Sequence, residues 1–142
     1  MHMIAEQEEV WAASIEDKPG ALAQKLSILA EAGADLDFVI ARRSAEKPGT
    51  GVVFVTPLRG DREIQAATEA GFEVTRHLHS VRIEGANKPG IAAVVAQKIG
   101  EAGVNMRGFS GAVIGARFVL HVGVDSDEDA KKVIRVISLI QD

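Results

Sequence analysis

The chain has no cysteine, no tyrosine, one tryptophan and 4% aromatic residues. Without thiols there is no disulfide scaffold, no thiol chemistry and no zinc held by cysteine. With so few rings, a surface built on stacking bases or sugars has little to work with. No apolar run approaches the roughly 20 residues that span a bilayer. Positive charge does not cluster: 16 basic residues stand against 20 acidic ones, for a net charge of −4. The electrostatic footprint of a nucleic-acid binder is therefore missing. The start, Met1 to Val10, is acidic and has no apolar core, unlike a secretory signal. The expectation is a cytoplasmic protein with neither a nucleic-acid nor a membrane partner.

The 142 residues are 46% hydrophobic and 25% charged, as in an ordinary globular protein. That length holds one typical domain or two small ones. A unit of about 70 residues buries only around 60% of its unfolded surface, so two such units gain by sharing an interface.

An internal repeat decides for two. Asp17-Lys18-Pro19-Gly20 recurs as Asn87-Lys88-Pro89-Gly90, 70 residues on. At the same offset Ala23 matches Ala93, and Glu31-Ala32-Gly33 matches Glu101-Ala102-Gly103. Asp35 matches Asn105, and Leu36 matches Met106. Several matches in one register point to duplication, and a repeat found early fixes the fold reading. The two repeats are expected over 1–78 and 79–142.

In the first copy, Val10 to Ile15 reads as a strand that Pro19-Gly20 ends. Leu22, Leu26 and Leu29 then share one helical face, and Gly33 sits where a helix C-terminus is expected. Leu36 to Ile40 and Val52 to Val55 read as strands around a hairpin loop holding Lys47-Pro48-Gly49. Asp61 to Ala70 reads as a helix, and Phe72 to Leu78 as a fourth strand. In the second copy, Ser80 to Ile83 is a strand. Ile91, Val94, Val95 and Ile99 form a helical stripe that Gly103 stops. Val104 to Val113 and Arg117 to Val124 are strands joined by a tight turn at Gly115. Ser126 to Ile140 is a helix, and no fourth strand is evident after it.

The order β-α-β-β-α-β has one favoured solution. The fold class expected is α+β: two tandem ferredoxin-like βαββαβ units, each an antiparallel sheet with its helices on one face. The second unit lacks an evident last strand.

The strand-Pro-Gly-helix junction is the most informative local feature. Gly20 and Gly90 let backbone approach a ligand closely. Ala21 with Leu22, and Ile91 with Ala92, open helices whose N–H groups and dipole suit a carboxylate. An amino acid also carries an ammonium, which needs oxygen acceptors. Asn87 and Asn105 bracket the second helix, and Asp17 and Asp35 bracket the first. A structural reading of the same residues is a turn with ordinary caps.

The stretch D/N-K-P-G, a helix of small and apolar residues, then E-A-G-x-D/N-L/M, resembles the ACT domain. The resemblance covers nearly the whole chain, as two copies. It implies a regulatory module that binds amino acids at interfaces between paired domains. In serine-sensing phosphoglycerate dehydrogenases, one asparagine precedes the R/K-P-G turn and another follows the helix-ending glycine. Asn87 and Asn105 match those positions. Asp17 and Asp35 stand there in the first copy, where two carboxylates would attract an ammonium and repel a carboxylate. Gly85 stands where that family has a histidine, so the ligand need not be serine.

Other chemistry is weaker. His77 and His79, two apart on an expected strand, would face one side, but no third metal ligand is close in sequence. Asp125, Asp127 and Asp129 start like a calcium loop, yet Ala130 and Val136 occupy the positions needing Gly and Glu. Ser126 with Asp129 reads better as a helix N-cap. Gly108, Gly111 and Gly115 precede a strand and fit bulged β-structure better than a phosphate loop. Ser110 lacks the nucleophile-elbow setting.

The sequence thus predicts a free-standing regulatory protein and not an enzyme, with no catalytic residues, metal or cofactor. The expected ligand is an amino acid, held by Asn87, Gly90, Ile91, Ala92, Asn105 and Met106, with Asp17, Gly20, Ala21 and Asp35 as the counterpart set. A homodimer is expected, acting on a regulated enzyme or transcription factor. The alternative is an interaction or oligomerisation module with no small ligand.

Overall fold

A computed structural model describes residues 2–140. Its elements are β1 (Met3–Glu8), β2 (Trp11–Glu16), α1 (Ala21–Glu31), β3 (Phe38–Arg43), β4 (Thr50–Thr56), α2 (Gly60–Glu69) and β5 (Glu73–Val74), then β6 (His79–Ala86), α3 (Ile91–Glu101), β7 (Met106–Ile114), β8 (Arg117–Val124) and α4 (Asp127–Ser138). They form two four-stranded antiparallel sheets, ordered β3-β4-β2-β5 and β1-β6-β8-β7.

Each sheet belongs to its own compact unit. The continuous unit runs from Glu9 to Thr75. The split unit joins the residues up to Glu8 to those from Arg76 onward. The repeats read from the sequence are contiguous, whereas the second compact unit is not. The reason is β1. Among the described residues no strand follows α4, and β1 takes the fourth-strand place beside β6.

The core of each unit follows from strand alternation, which sends every second side chain to the helix face. In the continuous unit Trp11, Ala13, Val53 and Val55 meet Leu29 of α1, Ala67 of α2 and Phe72. The two helices tie each other's ends. Arg62 Nη2 of α2 donates to the Glu31 carbonyl at 3.0 Å, and Lys25 Nζ of α1 donates to the Ala70 carbonyl. Both satisfy carbonyls that a helix C-terminus leaves open. In the split unit Met3, Val81, Ile83, Leu120 and Val122 meet Ile91, Val95 and Ile99 of α3 and Val133 and Ile137 of α4. Fully burying one such side chain contributes about 1.5–3 kcal/mol.

The fourth strands differ. β1 pairs with β6 over six residues, from Met3 opposite Gly85 to Glu8 opposite Ser80. Gly85 is what lets it in: a Cβ there would lie 2.8 Å from the His2 carbonyl oxygen and 3.1 Å from the Phe118 ring. In the continuous unit the strand expected over Phe72 to Leu78 shrinks to Glu73 and Val74, opposite Ala12 and Trp11. Phe72, 1% exposed, is drawn into the core, and its N–H bonds the Ala67 carbonyl at the end of α2. At its other end the ladder stops once Thr75 N–H has donated to the Val10 carbonyl at 2.9 Å, because the chain from Arg76 onward belongs to the split unit.

A further fastening holds β1. The Glu8 carboxylate accepts from the Ser80 hydroxyl at 2.7 Å and meets His121 Nδ1 at 2.6 Å through the same oxygen. Ser80 and His121 are 5% and 6% exposed. Burial of such polar groups is tolerated because each has a partner.

Candidate functional site

The two strand-to-helix junctions are built alike. Gly20 and Gly90 take left-handed φ of 85° and 84°, a conformation that costs other L-residues about 1–2 kcal/mol. Neither helix has a side-chain cap. The first N–H of each helix turns back into the junction: Ala21 N–H donates to the Lys18 carbonyl at 3.3 Å, and Ile91 N–H to the Lys88 carbonyl at 3.2 Å. Regular helical bonding resumes at Gln24 and Val94, which donate to the Gly20 and Gly90 carbonyls. Leu22 and Ala23 in α1, and Ala92 and Ala93 in α3, are left as the free donors among the described residues. The free N–H groups therefore lie one residue further along than Ala21 and Ile91. The side chains of those two residues are buried in their cores.

The charges around the junctions differ sharply. In the first, Asp17 is paired with Arg43 of β3 at 2.9 Å, and Glu16 with Lys18 at 2.9 Å. The Lys18 ammonium, by hydrogen bond and by charge, holds the Glu16 carboxyl below the usual carboxylate range. Asp17 thus already has its cation. In the second junction Ala86 and Asn87 replace the two acids, and Lys88 has no ion pair among the described residues. Asn87 N–H donates to the Ala116 carbonyl at 2.8 Å, seating the junction against the β7–β8 hairpin. Asn87 and Gly90 are exposed.

Asp35 and Asn105 lie exposed beyond the far ends of α1 and α3, and Met106, half-buried, packs on the core. α3 separates Gly90 from Asn105. Its 11 residues span about 16 Å at 1.5 Å per residue. A single amino acid cannot touch both from within one unit. The same holds for Gly20 and Asp35 across α1.

Other candidates separate. His79 opens β6 while His77 sits in a bend before it, so the two do not share a strand face. Among the described residues, no three His, Asp or Glu side chains gather as a metal would require. The Ser126 hydroxyl accepts from Asp129 N–H at 3.0 Å and caps α4. The Glu8–Ser80–His121 cluster gave no sequence signal, because its members lie on three strands 72 and 113 residues from Glu8. The carboxylate stands between hydroxyl and imidazole, whereas a nucleophile relay needs the imidazole in the middle. The cluster is a clasp on β1. Trp11 Nε1 is buried without an acceptor, but Trp11 starts β2 and Gly20 lies beyond its other end.

Neither a protein-family model nor a curated relative matches the sequence. Solved structures do match. The ligand-free regulatory subunit of aspartate kinase from Thermus thermophilus aligns with a TM-score of 0.68 at 18% identity, over 100% of this chain and 98% of that one. Protein BT0572 from Bacteroides thetaiotaomicron aligns with a TM-score of 0.77 at 17% identity, over 92% and 88%. The chain has the fold of an aspartate kinase regulatory subunit. The same fold also occurs inside a larger chain: aspartate kinase from Clostridium acetobutylicum aligns at 17% identity with a TM-score of 0.60, over 96% of this chain and 33% of that one. The tandem ACT-like fold implied by the sequence resemblance is the one observed.

Proposed function

We propose that this tandem ACT-like chain is a regulatory module that senses an amino acid, and that it has no catalytic activity of its own. The observation that carries the reading is the second junction. Ala92 and Ala93 offer two free N–H groups at a helix N-terminus, beside Lys88 and with no acid in place of Asn87. A helix N-terminus favours a negative group by about 0.3–1 kcal/mol at an exposed position. The ligand carboxylate docks there, and Asn87 supplies a neutral donor and acceptor. Asn105 supports the ammonium, and the length of α3 requires that it come from a second copy. The aspartate kinase of Clostridium acetobutylicum is an allosteric enzyme, which supports regulation as the use of this fold. The output is a shift between arrangements of the protein, passed to a regulated enzyme or transcription factor in the cytoplasm.

The first junction supports a second reading, confined to that copy. Asp17 is held by Arg43, so this junction serves assembly and takes no ligand.

A thermal-shift screen with the twenty amino acids tests the proposal. At least one should raise the melting temperature at millimolar concentration, and Asn87→Ala should remove that shift while Asp17→Ala keeps it. A folded sample that responds to none of the twenty would defeat it.

A further inference from the structure

The sheet of the continuous unit has a face away from its helices. Trp11, Ala13, Val53 and Val55 point into the core, so strand alternation sends Ala12, Ser14 and Val52 to the outer face. The counterparts of Ala12 and Ser14, 70 residues on, are Arg82 and Glu84. In the split unit those two form an ion pair, and Arg117 joins Glu84 at 3.6 Å, so long side chains cover the sheet there. In the continuous unit the same places hold a methyl and a hydroxymethyl group. A bowl of about 470 Å³ opens over them.

Its two ends carry opposite charges. Glu73 of β5 lines one and Lys47 of the β3–β4 hairpin the other. Neither has an ion pair among the described residues. Glu73 stands opposite Ala12, and Lys47 lies beyond Thr50, which stands opposite Glu16. From Ala12 to Glu16 along β2, and from β5 to β4 across it, strand spacings put their Cα atoms roughly 15–20 Å apart. Between the ends, β2 has an open stretch of edge. Backbone groups alternate sides along a strand. Val10 turns its carbonyl to Thr75 N–H on the β5 side, and Asp17 turns its N–H to the Gly49 carbonyl on the β4 side. Ser14 is in step with Val10, so its N–H and C=O face the β5 side. β5 does not reach them. Gly71, next in line, takes a φ of 92° and gives its N–H to the Thr68 carbonyl. Among the described residues Ser14 therefore keeps one backbone donor and one acceptor open beside the bowl, the pair that an amide group completes.

The geometry points to this bowl as a binding site for a short peptide with free ends, a dipeptide in the simplest case. The ammonium meets Glu73, the carboxylate meets Lys47, and the amide between them meets Ser14. A single amino acid has no amide, and its two charges lie too close together to meet both ends. The split unit has no such site, because Arg82 and Glu84 fill the place. The assignment stands apart from the sensing proposal at the second junction.

Alanylalanine is the probe. In two-dimensional NMR of the full chain, millimolar alanylalanine should shift the amide signals of Ser14, Val52 and Glu73 and leave those of Ala92 and Ala93 in place. Free alanine carries the charges without the amide, and N-acetylalanine methylamide carries amides without the charges. Each should shift the same signals severalfold less. Lys47→Ala and Glu73→Ala, both at exposed residues, should each weaken binding severalfold. Ala12→Arg with Ser14→Glu installs the split unit's pair and should abolish binding while the circular dichroism spectrum stays the same. The assignment is overturned if alanylalanine shifts nothing, if free alanine shifts the signals equally, or if binding is unchanged in both single variants. None of these substitutions touches the second junction, so the amino-acid screen with Asn87→Ala reports the sensing proposal separately.

Discussion

The two units share one strand-helix-strand-strand plan and differ in how they obtain the fourth strand. The continuous unit draws on its own chain and gets only Glu73 and Val74. The split unit borrows six residues from the other end of the protein and fastens them with a buried carboxylate. Gly85 marks the choice. Its counterpart 70 residues earlier is Ile15, which lies beyond the reach of β5. Where a full strand must lie alongside, the side chain is absent; where none arrives, a bulky one is kept. The duplicated part is thus the strand-helix core that presents the junction, and the closing strand is interchangeable.

The difference can be broken most severely by removing the borrowed strand. A chain starting at Glu9 should lose most of the split unit's stability. The loss should approach the roughly 5 kcal/mol at the low end of a domain's total. Hydrogen exchange should become fast in β6 and α4 while Val53 and Val55 stay protected. Equal loss of protection in both units would mean that they do not unfold separately. The continuous unit has its own vulnerable point in Phe72, 1% exposed in its core. Phe72→Ala should cost about 3–5 kcal/mol, with the protection loss now falling on β4 and α1. Chemical denaturation with site-resolved exchange separates the two outcomes.

The part of this fold set by local chemistry was legible, and the part set by distant pairing was not. α1 and α3 were readable from apolar spacing and from Gly33 and Gly103, whose φ values are 94° and 81°. β8 matches its expected limits, Arg117 to Val124, because its apolar run is bounded by a tight turn and a capped helix. β1 was invisible. Met-Ile-Ala-Glu-Gln-Glu holds residues poorly represented in strands, and its partner Ser80 is 72 residues from Glu8. The site divided the same way. Both junctions were recognisable as motifs. That Arg43 would neutralise Asp17, and that Ala21 and Ile91 would spend their N–H groups on Lys18 and Lys88, depended on geometry that spacing does not carry.

A milder break removes only the clasp. Glu8→Ala leaves the buried Ser80 hydroxyl without the carboxylate it donates to and removes the 2.6 Å contact with His121 Nδ1, and an unsatisfied buried group costs about 1–3 kcal/mol. The midpoint of urea unfolding should fall accordingly. Glu8→Gln keeps an acceptor and should recover part of the loss. If Glu8→Ala unfolds at the wild-type midpoint, the clasp does not hold β1.

The smallest effect resolves the borrowed strand at a single atom. Gln7 of β1 donates its side-chain amide to Asp127 Oδ1 at 2.8 Å, at the start of α4. That bond, ahead of the bond and charge from Lys131, holds the Asp127 carboxyl below its ordinary value. A carboxyl depressed in the folded state stabilises above its unfolded pKa, and the contribution is lost as pH falls through the folded one. Gln7→Ala should therefore move the Asp127 midpoint upward in a carbon-detected NMR titration. Glu16, depressed by Lys18 in the continuous unit, should stay where it was. An unmoved Asp127 would show that β1 does not reach α4 in solution. A Glu16 that moved with it would show that the two units are not electrostatically independent.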